Sequence, residues 1–141
     1  MPIGHAGYRR AMRAIPSSVV PALGITRVVI GAGMIVNPAG LGKALGLSEQ
    51  AAKDAGWLAR LAGAREIGIG LGTIAAWRTG APTAGWVAAQ AISDGSDAVA
   101  FAITAAQGKI SPTRGWGMGL FALSGAVSEA LTALALRRSA G

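Results

Sequence analysis

The sequence predicts an all-α integral membrane protein, a four-helix bundle forming one domain over residues 1–141. Three observations support this prediction. The chain is 52% hydrophobic and only 13% charged, whereas charged residues make up about a quarter of a typical soluble domain. Four apolar stretches follow one another, each with the roughly 20 residues needed to cross a hydrocarbon core of about 30 Å. All four tryptophans lie at the ends of these stretches, where indole rings meet the headgroup layer.

The predicted spans cover about residues 17–36, 57–77, 85–106 and 116–136. Turn-forming residues separate them, namely Asn37-Pro38, then Gly80 with Pro82, then Gly108 with Pro112. The first span is too long for a signal peptide and lacks a clean cleavage site, so we expect it to be retained as a helix. A soluble bundle is the alternative, but glycine-rich apolar runs of this length form poor soluble helices.

Positive charge outside the spans predicts their orientation. Six basic residues lie on the side that holds both termini: Arg9, Arg10, Arg13, Arg78, Arg137 and Arg138. The opposite loops hold four: Lys43, Lys53, Lys109 and Arg114. Because cytoplasmic flanks carry the excess of Lys and Arg, we expect a multi-pass cell-membrane protein with both termini in the cytoplasm. These cations flank spans without interleaved aromatic residues, which favours membrane lipid over nucleic acid as a partner.

Seven ionisable residues fall inside the spans, although a central Asp, Lys or Arg costs roughly 2.5–3.5 kcal/mol on insertion scales. They are Arg27, Arg60, Arg65, Glu66, Asp94, Asp97 and Glu129. With alternating helix directions, five of them fall near the bilayer midplane. Glu129 lies about a turn toward the cytoplasmic side, and Arg60 lies near the outer end of its helix, where it can snorkel. Charges from four helices at one level predict a single buried polar cluster.

Helical phase predicts which side chains meet in this cluster. One face of the third span carries Gln90, Ser93, Asp94, Asp97, Phe101 and Thr104, and one face of the fourth carries Phe121, Ser124, Gly125, Ser128, Glu129 and Thr132. The first span offers Gly24, Arg27 and Gly31, and the second aligns Arg65 with Gly68, Gly72 and Ala76 at a spacing that lets helices approach closely. Glu66 is about 100° around the helix from Arg65, so the two should not point at one spot. We expect Arg65 to pair with an Asp of the third span and Glu66 to pair with Arg27.

An excess of carboxylates over deep arginines predicts acid–base chemistry. Arginine stays protonated, and like charges at Asp94 and Asp97 oppose joint ionisation where the dielectric is low. One Asp is therefore a candidate acid at neutral pH, with its neighbour or Glu129 as the conjugate base. The candidate catalytic residues are Asp94, Asp97, Glu129 and Glu66. The candidate substrate-binding residues and charge partners are Arg27, Arg65, Gln90, Ser93, Ser124 and Ser128.

No cofactor and no metal site are predicted. The chain has no cysteine, which excludes thiolate chemistry. His5 has no second ligand at metal spacing, and the arginines beside the carboxylates disfavour a cation there. The glycines after Arg65 follow no strand, so they predict no dinucleotide site.

The motif Arg-x-x-Gly-x-Arg-Glu at residues 60–66, with glycines at 68–72, resembles the signature of small bacterial membrane proteins with four helices. Residues 25–31, leading to Asn37-Pro38 and Lys43, are more distantly similar to the first helix of DoxX-like proteins. The resemblance implies a four-helix membrane bundle and no settled activity.

Three functions remain open. The first and preferred one is an intramembrane acid–base enzyme, of isomerase, cyclase or epoxide-opening type, acting on a lipid-soluble small molecule. The second is a small proton- or ion-coupled transporter that uses the carboxylates as a relay and works as a dimer, which leaves a homodimer open. The third is a structural or assembly subunit. In each case Arg65→Ala is expected to cost several kcal/mol, because it leaves a buried carboxylate unpaired.

Overall fold

The computed structural model describes residues 18–138, and every regular element in that range is helical. The helices are α1 (Val19–Val36), α2 (Pro38–Ala44), α3 (Glu49–Asp54), α4 (Gly56–Thr79), α5 (Ala84–Ala106) and α6 (Pro112–Arg138). The all-α prediction is confirmed, and the four long helices match the four apolar stretches within a few residues. The predicted start of the first stretch and the residues His5, Arg9, Arg10 and Arg13 lie outside the described residues.

The helix boundaries follow the turn residues. Asn37 ends α1 and caps α2 with its side-chain oxygen, and Pro38 occupies the first position of α2. Gly80 ends α4 in the left-handed conformation with φ 70°, which glycine adopts without strain. The short helices α2 and α3 differ from the prediction of turns alone between the first two spans. They form because Asn37 and Ser48 each cap a helix locally.

The long helices form two closely packed antiparallel pairs, α1 with α4 and α5 with α6. In the first pair Gly24 and Gly31 of α1 lie against Gly70 and Gly63 of α4. A Cβ atom added at Gly63 would lie 2.6 Å from the carbonyl oxygen of Gly31, and one added at Gly70 would lie 2.6 Å from that of Gly24. These glycines therefore let the two backbones touch, which is how helices associate closely in an apolar environment.

The small-residue stripe that the sequence predicts on α4 is displaced. Gly68 has open space around its Cα, and Gly72 lies against the ring of Trp86 instead of against α1. The stripe that packs on α1 contains Gly63, Glu66 and Gly70. The buried stripe of α4 is shifted by about one residue from the predicted stripe, so Glu66 is buried and Arg65 is not.

The second pair is built on a seam of small residues along α6. The buried residues alternate at spacings of four and three: Gly115, Gly119, Ala122, Ala126, Glu129, Ala133 and Leu136. This is the spacing of a coiled-coil seam. Near one end, a Cβ atom added at Gly115 would lie 2.6 Å from the Cβ of Ala105 in α5. Glu129 is thus part of a seam that otherwise consists of small and apolar residues.

The two pairs are arranged so that α1 and α6 run in opposite directions. Arg27 of α1 contacts Glu129 of α6, and nearer the ends of the same helices Val20 shares a buried apolar cluster with Leu136. Trp77 packs against that cluster. The described ends of the chain and the α4–α5 turn therefore lie at one end of the bundle, and α2 and α3 lie at the other.

The interior is small or polar, and the surface is large and apolar. Most of the buried apolar residues are alanines. Exposed large apolar side chains occur on all four long helices, and include Ile25, Val29, Leu58, Leu71, Ile92, Val99, Leu120, Phe121 and Leu131. By length and composition, α1 and α6 are able to cross a membrane. The ionisable residues of α4 and α5 lower the hydropathy of those two helices.

Gly31→Ala is expected to destabilise the protein by about 1–3 kcal/mol, the usual cost of overpacking. The new Cβ would collide with the carbonyl oxygen of Gly63 and lie 2.8 Å from Cγ1 of Ile67, so α1 and α4 would have to separate. Gly33→Ala on the same helix is the matched control, because nothing lies within 4 Å of its added Cβ and alanine is the better helix former. Thermal unfolding in detergent, followed by circular dichroism, measures both. Equal melting temperatures would contradict the close α1–α4 contact.

Candidate functional site

The centre of the polar cluster is the buried side chain of Arg27. Its Nη1 donates to Oε2 of Glu66 at 2.5 Å, and its Nη2 lies 2.6 Å from Oδ1 of Asp94 and 2.8 Å from Oε1 of Glu129. A single guanidinium on α1 therefore contacts carboxylates from α4, α5 and α6. The depths of these residues along their helices predict this meeting of four helices at one level.

Glu66 joins this centre to a second arginine. Its Oε1 accepts hydrogen bonds from Arg65 Nη2 at 3.0 Å and from Ser93 Oγ at 2.9 Å. Arg65 Nη2 also lies 3.0 Å from Oδ2 of Asp97. Both expected pairings, of Arg65 with an Asp of α5 and of Glu66 with Arg27, are present. The expectation that Arg65 and Glu66 should not point at one spot is wrong, because the long Arg65 side chain reaches back to its neighbour on the same helix.

Exposure divides the cluster into a buried core, centred on Arg27 and Glu66, and an exposed arm formed by Arg65 and Asp97. The side chains of Arg27 and Glu66 are 8% and 5% exposed, whereas those of Arg65 and Asp97 are 38% and 39% exposed. Asp94 is intermediate at 19%. The arm lies on α4 and α5, whose mutual contact is small compared with the contact inside each helix pair.

Gln90 extends the core by one turn of α5. Its Nε2 donates to Thr73 Oγ1 at 2.7 Å, and that hydroxyl donates to the carbonyl of Ile69 at 2.8 Å. Ser93 and Gln90 thus lie where the phase of α5 predicts. Thr73 is absent from the predicted set, although its position seven residues after Glu66 places it on the same helix face and was a usable signal.

Ser124 and Ser128 lie outside the cluster, on the exposed surface of α6. The hydroxyl of Ser124 donates to the carbonyl of Phe121 at 2.7 Å, within its own helix. The sequence predicts that the two serines bind substrate beside the carboxylates, because they share a polar helix face with Glu129. The buried face of this helix is instead set by its glycines and alanines.

The charges of the cluster do not balance. Four of the six acidic residues of the chain meet here, and among residues 18–138 only Arg27 and Arg65 face them. Arg60 is exposed and has no ion pair within residues 18–138. Oε2 of Glu129 is buried without a hydrogen-bond partner in the described part of the chain, as is Oε1 of Gln90.

Asp94 and Glu129 carry the unbalanced charge most directly, because they share one nitrogen of Arg27. Two carboxylates that contact the same nitrogen away from water oppose each other's ionisation. Within residues 18–138 no three His, Cys, Asp or Glu side chains are grouped to hold a metal ion. A groove of about 300 Å³ between α2 and α6 lies at the far end of the bundle and contains none of the candidate residues.

Comparison with protein-family models, with curated proteins and with solved structures gives no match. The resemblance of residues 60–66 to small bacterial membrane proteins, and of α1 to DoxX-like proteins, therefore stays a prediction.

Proposed function

We propose that this chain is an integral membrane protein in which α1, α4, α5 and α6 all cross the bilayer. The distribution of side chains supports this, because large apolar residues are exposed on all four helices while Arg27, Glu66, Gln90 and Glu129 are buried between them. Lipid is apolar, so exposing large apolar side chains to it carries no free-energy penalty. The central carboxylates that make α4 and α5 unfavourable as lone spans are paired with arginines of the bundle.

Single-cysteine labelling tests this topology without background, since the chain has no cysteine. Pro82→Cys in the α4–α5 turn and Lys109→Cys in the α5–α6 turn are expected to react from opposite faces of a sealed membrane. The excess of basic residues places Pro82 on the cytoplasmic face. Gln50→Cys on α3 is the matched control and should behave like Lys109→Cys. Labelling of all three from one face, before the membrane is permeabilised, would contradict four spans.

Within this membrane protein we infer that Asp94 and Glu129 are an acid–base pair that transfers protons on a lipid-soluble small molecule. The observation that carries the inference is their shared contact with Nη2 of Arg27. The protonated member donates and the ionised member accepts, which is sufficient for an isomerase, cyclase or epoxide-opening reaction. Asp94 is the more exposed member and is the one that a substrate can reach.

The other charged residues position this pair. Glu66 holds Nη1 of Arg27, which directs Nη2 toward the two acids. Asp97 pairs with Arg65, which in turn contacts Glu66. Arginine does not release its proton at any working pH. A proton therefore cannot pass from Asp97 through Arg65 and Arg27 to the pair, which favours a local catalytic exchange over a relay across the membrane.

Infrared spectroscopy of the protein in lipid tests the acid–base pair without a known substrate. A protonated carboxyl band is expected at neutral pH, and Asp94→Asn or Glu129→Gln should remove or shift it. Glu49→Gln on the exposed helix α3 is the control and should leave the band unchanged. If no such band responds to either substitution, both acids are ionised and serve only to hold the helices together.

A further inference from the structure

We propose that the surface around Arg65 and Asp97 is where two copies of this chain contact each other in the membrane. We define the α4–α5 face as Ala64, Arg65 and Gly68 of α4 with Ser96, Asp97 and Ala100 of α5. The proposal rests on the proposed membrane spans and is independent of the acid–base pair.

The α4–α5 face differs from the rest of the surface of these two helices. Its two charged side chains are more than one-third exposed at the middle of the helices, a depth at which lipid offers no hydrogen bonds. Its other residues are small, and nothing lies within 4 Å of a Cβ added at Gly68. Elsewhere along α4 and α5 the exposed residues include large apolar side chains, as at Leu58, Leu71, Ile92, Val99 and Ile103, besides Arg60.

Small residues let membrane helices pack closely on one another, and charged residues within spans almost always face protein or a water-filled cavity instead of lipid. Ser96 already donates its hydroxyl to the carbonyl of Ser93 at 2.7 Å, so it does not compete for the charges. The Arg65 guanidinium and the Asp97 carboxylate then remain as the polar groups that a partner has to match.

Charge complementarity identifies the partner as a second copy. The face presents one cation on α4 beside one anion on α5, so it is complementary to itself. A two-fold rotation brings Arg65 of each copy to Asp97 of the partner subunit, and both ion pairs become shielded from lipid. Such an isologous contact is the usual form of a homodimer.

Disulfide cross-linking in native membranes tests the face. Gly68→Cys and Ala100→Cys avoid the charged residues, and the first enters open space. Both variants are expected to form covalent dimers under mild oxidation, at least several-fold more than Ile25→Cys on α1 and Val127→Cys on α6, which are exposed on other faces. Native mass spectrometry of the unmodified protein released from lipid nanodiscs should then give the mass of a dimer.

Equal cross-linking at the control positions would overturn the proposal, as would a monomer mass for the unmodified protein. A monomer that retains a bound lipid-soluble molecule would also overturn it, because such a molecule can occupy the proposed site at Asp94 and Glu129 without a second copy of the chain. The infrared band of Asp94 and Glu129 is read separately, so either proposal can fail while the other stands. If cysteine labelling excludes four spans, the argument for the α4–α5 face fails with it.

Discussion

Arg27→Met is expected to lower the free energy of unfolding by about 3–5 kcal/mol, the usual loss when one partner of a buried ion pair is removed. Arg27 is the only cation in contact with Asp94 and Glu129 among the described residues, and it also pairs with Glu66. Methionine fills much of the same volume as arginine. The decrease in the free energy of unfolding therefore reflects the missing positive charge more than an empty cavity.

Arg60→Met is the matched control for this substitution. Arg60 lies on α4 but is exposed, and surface changes of this kind usually stay within about 0.5 kcal/mol. Reversible unfolding in mixed micelles, followed by circular dichroism, compares the two variants with the parent. If both variants unfold like the parent, Arg27 does not hold the four helices together.

Glu66→Ala is expected to cost about 3 kcal/mol, because hydrogen bonds to a charged group contribute roughly 1.5–3 kcal/mol each. Glu66 accepts from Arg27, Arg65 and Ser93 and so connects the α1–α4 pair to α5. Glu49→Ala is the control, since the contacts of Glu49 with Lys43 and Lys53 are largely exposed and surface pairs contribute at most about 1 kcal/mol.

Glu129→Gln in the same assay tests whether the stability of the cluster depends on the negative charge of Glu129. The cluster has more carboxylates than arginines, and Arg27 would keep Glu66 and Asp94 as partners. We therefore expect a much smaller loss than for Glu66→Ala. A loss as large as that of Glu66→Ala would show that Glu129 is an ionised structural partner and would contradict the shared proton.

Depth along the helix is sufficient to predict that Arg27, Glu66 and Asp94 lie at one level, with Glu129 about one turn away. A helix rises by a fixed distance per residue, so the level of each charge follows from its position in the span. Which arginine is central cannot be predicted in the same way. The sequence predicts a loss of several kcal/mol for Arg65→Ala, but Arg65 is 38% exposed and Glu66 keeps its ion pair with Arg27 when Arg65 is removed. The free energy of unfolding should therefore fall less for Arg65→Ala than for Arg27→Met.

The errors on α4 and α6 have different physical causes. Glycines lie on more than one face of α4, so their spacing alone does not select the stripe that packs on α1. On α6 the sequence interpretation takes polar residues as the sign of the inner face, as for a ligand site, and so groups Ser124 and Ser128 with Glu129. In this bundle the inner face is defined by residues small enough for helices to touch, such as Gly115 and Ala126. A serine can face outward at no great cost when its hydroxyl bonds to its own helix, as that of Ser124 does.

The weak direct contact between α4 and α5 has a consequence for how the chain is made. If all four long helices cross the bilayer as proposed, α5, with two aspartates among its alanines, is by itself a poor substrate for the insertion machinery. Its extensive packing on α6 would then let the two enter the bilayer as one hairpin, with α1 and α4 as the earlier hairpin. A chain cut in the α4–α5 turn would leave each fragment with its own tight pairing. Charge attraction between Arg27 and the later carboxylates would then rejoin two separately synthesised halves.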